Sequence, residues 1–100
     1  MTNQQLILEA IENRKTIAIN YKGGERVIEP FTLGYHKSTG NLILRAFFLD
    51  GYSSSGEYYQ WKIYRLDNIS NVKVLNQPIF FDRDGYNPND SDMSEILATI

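Results

Sequence analysis

The stretch that most constrains this chain runs from Asn41 to Leu66, NLILRAFFLDGYSSSGEYYQWKIYRL. Leu42, Leu44, Ala46 and Phe48 fall on one side at period two, with Ile43, Arg45 and Phe47 on the other, which is the pattern of a strand. After a Gly/Ser loop (residues 50–57) a second run divides the same way. Tyr59, Trp61, Ile63 and Arg65 oppose Tyr58, Gln60, Lys62 and Tyr64. Cations therefore stand among large rings on segments expected to pair. A charge in such surroundings is costly to bury unless something negative meets it. Asp67, Glu29 or a bound anion would serve, and the residues leave that choice open.

The flanking segments complete a small sheet. Thr2 and Gln5 stand at capping-box spacing ahead of the stripe Leu6, Ile7, Ala10 and Ile11, which predicts a helix over residues 3–13. So short a helix is not stable alone, and its stripe must cover something; the open end of a barrel is the natural place. Thr16 to Tyr21 reads as a strand with Ile17, Ile19 and Tyr21 on one face. Lys22-Gly23-Gly24-Glu25 reads as a tight hairpin, in which Gly-Gly accepts positive φ. Arg26 to Tyr35 is expected as a longer strand with Val27, Phe31, Leu33 and Tyr35 on one side. Pro30 lacks the N–H a ladder needs and so implies a bend or an edge.

Leu66-Asp67-Asn68 turns the chain into a last strand, Ile69 to Leu75. Strands at this regular spacing predict a mainly β domain, a small five-stranded antiparallel barrel over about residues 16–75. The tail, 76–100, differs in kind. Gln77 to Phe81 is expected to cross the barrel surface in extended form. Asn87-Pro88-Asn89-Asp90 then has the chemistry of a helix start, and Met93, Ile96, Leu97 and Ile100 would be the stripe of a C-terminal helix. Residues 1–100 read as a single domain.

Charge and composition narrow the function classes. The net charge is −2, which argues against non-specific coating of nucleic acid. Its distribution says more: nine Lys/Arg against five Asp/Glu between Arg14 and Leu75, then five acids against Arg83 alone between Asp82 and Glu95. A basic body with an acidic tail leaves room for a local anion site, although solvated faces explain the same pattern. The chain has no cysteine, hence no disulfide, no thiolate nucleophile and no Cys-ligated metal. No apolar run approaches the ~20 residues a membrane helix needs, and no leader pattern opens the chain, so a cytoplasmic protein without membrane contact is expected.

Candidate ligand-binding residues are Arg26, Arg45, Lys62, Tyr64, Arg65 and Tyr21. A planar guanidinium offers paired donors to phosphate, and tyrosine rings stack on bases. The competing structural account has Arg65 and Arg45 paired with Asp67 or Glu29, Lys62 and Arg26 as exposed strand cations, and the rings packed across strands. Trp61 suits the core, and Tyr64, sharing a face with Lys62, is the better stacking candidate. His36, the sole histidine, falls at a turn without catalytic or metal-ligating partners. Asp82, Asp84, Asp90 and Asp92 lack the glycine and terminal glutamate of a calcium loop. No nucleophile, base and oxyanion donors assemble, so neither an enzyme, a metal nor a cofactor is expected.

Taken in order, AIENRKTIAINYKGGERVIEP, LILRAFFLDG and WKIYRLDNISNVKVL resemble the WYL domain. Tyr21, Arg26, Ile28 and Pro30 stand at the family's "x-I-x-Y … R-x-I-x-P" opening. Arg45-Ala46-Phe47-Phe48 lies near the naming motif, and Tyr64 to Ile69 at "F-R-L-D-R-I". The chain is most similar to small stand-alone members, over roughly residues 6–81. It departs from the pattern at Phe47 and Phe48, where the naming tripeptide is absent, and at Asn68, in place of the second arginine. The resemblance implies an Sm-like, SH3-type barrel. It also implies a ligand-sensing module in bacterial transcription regulation or defence, with a nucleotide or short single-stranded nucleic acid as ligand. The alternative is an interaction domain that assembles through strand edges as a homo-oligomer without a small ligand.

Overall fold

The structure, a computed structural model, describes residues 1–53 and 56–100; Ser54 and Ser55 of the expected Gly/Ser loop lie outside the described residues. Helix α1 spans Asn3–Glu12. The Thr2 hydroxyl accepts from the Gln5 backbone and the Gln5 side chain accepts from the Thr2 backbone, so the expected capping box is complete. Its buried face is Ile7, Ala10 and Ile11. The strands are β1 (Lys15–Tyr21), β2 (Gly24–His36), β3 (Leu42–Gly51), β4 (Gln60–Arg65), β5 (Ile69–Pro78) and β6 (Met93–Thr99).

These strands form one antiparallel sheet in the order β4-β3-β2-β1-β5, with β6 added to β2. A 3-10 turn, Leu66–Asn68, carries the chain from β4 to β5. Among the described residues no ladder joins β4 to β5, so the expected barrel is not closed, and the strands number six rather than five. The core lies between α1 and the concave side of the sheet. Ile17, Ile19, Ile28, Leu33, Leu44, Ala46, Phe48 and Tyr64 all take part in it.

Two local departures from the sequence reading shape the molecule. The β1–β2 turn uses Lys22 and Gly23, both at positive φ, while Gly24 already opens β2 opposite Tyr21. In β2 the register against β3 slips between Pro30 and Thr32. A slip of one residue reverses which side each following side chain takes. Val27, Phe31, Leu33 and Tyr35 therefore do not share a face: Leu33 joins the core, whereas Phe31 packs against Trp61 and Tyr86. The same bend lets β2 change neighbours, pairing with β1 before Pro30 and with β6 after it.

The predicted C-terminal helix is absent, and its residues form β6. The helix-start residues are spent on local turns: the Asn87 side chain accepts from Asn89 N–H at 3.0 Å and that of Asp90 from Asp92 N–H at 3.0 Å. The free edge of β2 beyond Pro30 then offers hydrogen bonds to Met93–Thr99. A short helix with one apolar stripe cannot match such a ladder.

Candidate anion site

Three of the six residues singled out by sequence converge at one end of the concave side. Tyr21 closes β1, Arg26 enters β2 and Tyr64 lies on β4 opposite Leu44. The Tyr21 and Tyr64 rings meet edge to face at 4.9 Å. The Arg26 guanidinium carbon sits 5.2 Å from the centre of the Tyr21 ring, 5.7 Å from Tyr64, 5.8 Å from Phe48 and 5.6 Å from Tyr52. A cation over several ring faces is held by their quadrupoles, each such contact contributing about 0.5–2 kcal/mol.

Arg26 is 5% exposed and forms no ion pair among the described residues. Its Nε–H is buried without a hydrogen-bond partner, and the Tyr64 hydroxyl, equally buried, lies beside the guanidinium without a bond of full hydrogen-bond geometry. Burial pushes the Tyr64 hydroxyl pKa up, while Arg26, close enough to act on that oxygen as a donor and through its charge, pulls the other way. Buried donors are ordinarily satisfied, and a buried guanidinium without a carboxylate is the kind of group an anion would satisfy.

Sequence reasoning did not single out the two other walls of this cage. Phe48 was legible as a core residue at period two. Tyr52 gave no such signal, because it sits in a loop. Its backbone N–H donates to Glu25 at 2.8 Å, and its side chain lies so close to Gly24 that a methyl group there would overlap it. Gly24 is thus the residue that lets Tyr52 close over Arg26. Near the cage, Lys22 places its ammonium 5.7 Å from the Tyr21 ring centre. Lys62, opposite Ala46 and two residues from Tyr64, faces the same side of β4.

Arg45 and Arg65 stand elsewhere. Both lie on the convex side, where β3 and β4 pair Arg45 with Ile63 and Ile43 with Arg65. Arg45 donates to Asp90 at 2.8 and 3.3 Å and to Asp92 at 2.6 Å. Burial alone would raise the Asp90 carboxyl, but the Arg45 hydrogen bond and charge outweigh it and hold the group below its ordinary value. Arg65 reaches Asp67 at 2.7 Å across an exposed pair. Glu29, considered above for either arginine, instead takes two hydrogen bonds from Arg83, at 2.7 and 3.0 Å. Trp61 is half-buried on the convex side, between Phe31 and Phe47, and donates to the Asp84 carbonyl at 2.7 Å. His36 accepts from the Ser38 and Thr39 backbones at 3.1 and 3.4 Å, which gives it a turn-forming role.

No helix is long and apolar enough to cross a membrane among the described residues. A family model described as the WYL domain matches residues 2–74, which include the whole cage but neither the acidic tail nor β6. No curated protein and no solved structure matches the chain. The chain belongs to the WYL domain family, whose members generally act as ligand-sensing modules of bacterial regulators.

Proposed function

We propose that this protein is a non-enzymatic sensor that binds a nucleotide or a short single-stranded nucleic acid, with a phosphate of the ligand at Arg26. The observation that carries this reading is the Arg26 cage: a guanidinium 5% exposed, without a carboxylate among the described residues, with its Nε–H unsatisfied beside the buried Tyr64 hydroxyl. A phosphate oxygen would accept from both, and charge-assisted hydrogen bonds of this kind are about twice as strong as neutral ones. Tyr52 is the wall that would have to move, and it belongs to no strand and is about half exposed. Its displacement would open the guanidinium to the ligand, and its own half-exposed ring is the surface for a base to stack on, since Tyr21 and Tyr64 are buried in the core. Lys22 and Lys62 extend the positive field along the same side. The setting is regulatory, in bacterial transcription or defence, and cytoplasmic.

Thermal unfolding against nucleoside phosphates and short oligonucleotides tests the reading. A salt-sensitive rise in the midpoint with one of these classes is expected. If none of them raises it at low salt, the proposal fails. The assembly reading rests on a separate observation, the outer edges of β4 and β5 that no ladder closes among the described residues. Light scattering that gives a monomer at high concentration removes it.

A further inference from the structure

The surface around Tyr59 carries a second feature that the anion cage does not use. Tyr59 is 66% exposed and holds a left-handed backbone, φ +54°, which is unusual for an aromatic residue. Such a conformation costs about 1–3 kcal/mol and persists where the surroundings impose it. Tyr59 lines two open hollows, one of about 650 Å³ floored by Val27, Tyr58 and Leu75, the other of about 570 Å³ walled by Phe47, Trp61 and Phe81. Phe81 is itself 60% exposed.

Charge says what such a groove would accept. The carboxylates lining it are Asp50, Asp82 and Asp84, and neither Asp50 nor Asp84 has an ion-pair partner among the described residues. Among the described residues the one cation in the lining, Arg83, is neutralised by Glu29. Nucleic acid would meet repulsion here. The groove also displays how it holds a guanidinium: Arg83 lies 4.7 Å from the Phe47 ring centre, 5.1 Å from Phe81 and 5.9 Å from Tyr59. Rings rimmed with free carboxylates are complementary to arginine side chains interspersed with apolar ones.

We propose that the groove on either side of Tyr59 docks a basic, arginine-bearing segment of a partner protein. The groove shares no lining residue with the Arg26 cage and touches it where Tyr58 stacks on Phe48 at 5.2 Å, so Tyr59→Gly and Arg26→Met test the two readings separately.

The test uses the full chain and a fluorescein-labelled peptide of alternating arginine and leucine, with a glutamate–leucine peptide and an oligothymidylate as comparison probes. Trp61 lines the groove and reports its occupancy directly. The arginine–leucine peptide is expected to bind and to shift Trp61 emission, while the glutamate–leucine peptide does neither. Tyr59→Gly removes the ring yet suits the left-handed backbone, so it should fold with an undiminished thermal midpoint and weaken peptide binding about tenfold or more. Asp50→Asn with Asp84→Asn should weaken it comparably. The proposal is overturned if the arginine–leucine peptide does not bind, if the glutamate–leucine peptide binds as well, or if either variant retains wild-type affinity. It is also overturned if Tyr59→Gly abolishes oligothymidylate binding, which would make the groove a nucleic-acid platform.

Discussion

Arg26 is held by rings rather than by a counter-charge, and this sets what its replacement will do. Buried charges are often replaceable by apolar groups of similar volume without loss of stability. Arg26→Met should therefore unfold at the same temperature as the parent or higher, while losing the anion site. A lower midpoint, measured by thermal unfolding, would mean that the ring contacts alone account for the arginine. Asp90 is the opposite case, a carboxylate whose partner, Arg45, keeps its pKa below the ordinary 3.8. A depressed folded-state value means that the pair stabilises fully above the ordinary carboxylate range and loses that contribution as pH falls through the lowered value. At neutral pH, Asp90→Asn should cost about 1–3 kcal/mol. The gap in midpoint between variant and parent should close below pH 3.8. A gap independent of pH would contradict the assignment. At this scale the sequence revealed residue types but not their partners. Period two places Arg45 on the convex side, yet its pairing with Asp90 and Asp92 spans 45 and 47 positions, and nothing local announces it.

At the scale of elements, β2 decides the architecture. Its bend near Pro30 was legible, because proline cannot serve a ladder on its own. The exchange of neighbours from β1 to β6 across that bend was not, because it depends on which distant segment fills a vacant edge. Most of the α1 stripe was legible, although Leu8 rather than Leu6 packs on the core, and the cap was legible outright, being local chemistry. The tail was misread for the same reason: Asn87-Pro88 carries a genuine local signal, and a long-range ladder overrides it. Gly34 marks where that ladder is tightest. It lies opposite Ile96, and a methyl group there would overlap the Glu95 carbonyl and crowd the Met93 sulfur. Gly34→Ala should cost about 1–3 kcal/mol through overpacking and loosen β6 selectively. Hydrogen exchange checks this, with the amides of β6 expected to lose protection ahead of those of β1. Uniform loss across the sheet would show that β6 is not a separable element.

At the scale of the whole molecule, the sheet separates two chemistries. The concave end gathers Arg26 with Tyr21 and Tyr64, near Lys22 and Lys62, while the convex side carries Glu29, Asp50, Asp84 and the carboxylates that engage Arg45. The basic body and acidic tail of the sequence match this separation only in part, because Glu29 and Asp50 belong to the body and Arg45 and Arg65 lie on the convex side. What the sequence lacked was the way the tail folds back, so that Asp90 and Asp92 occupy an arginine otherwise counted as a ligand contact. The central claim is that Arg26, which meets no carboxylate among the described residues, is reserved for an anion. The affinity of fluorescein-labelled oligothymidylate for the parent and for Arg26→Met, followed by polarisation across a salt series, tests it most directly. The account predicts binding that weakens steadily with salt in the parent and is lost in a variant that remains folded. Equal affinity in the two proteins would contradict it.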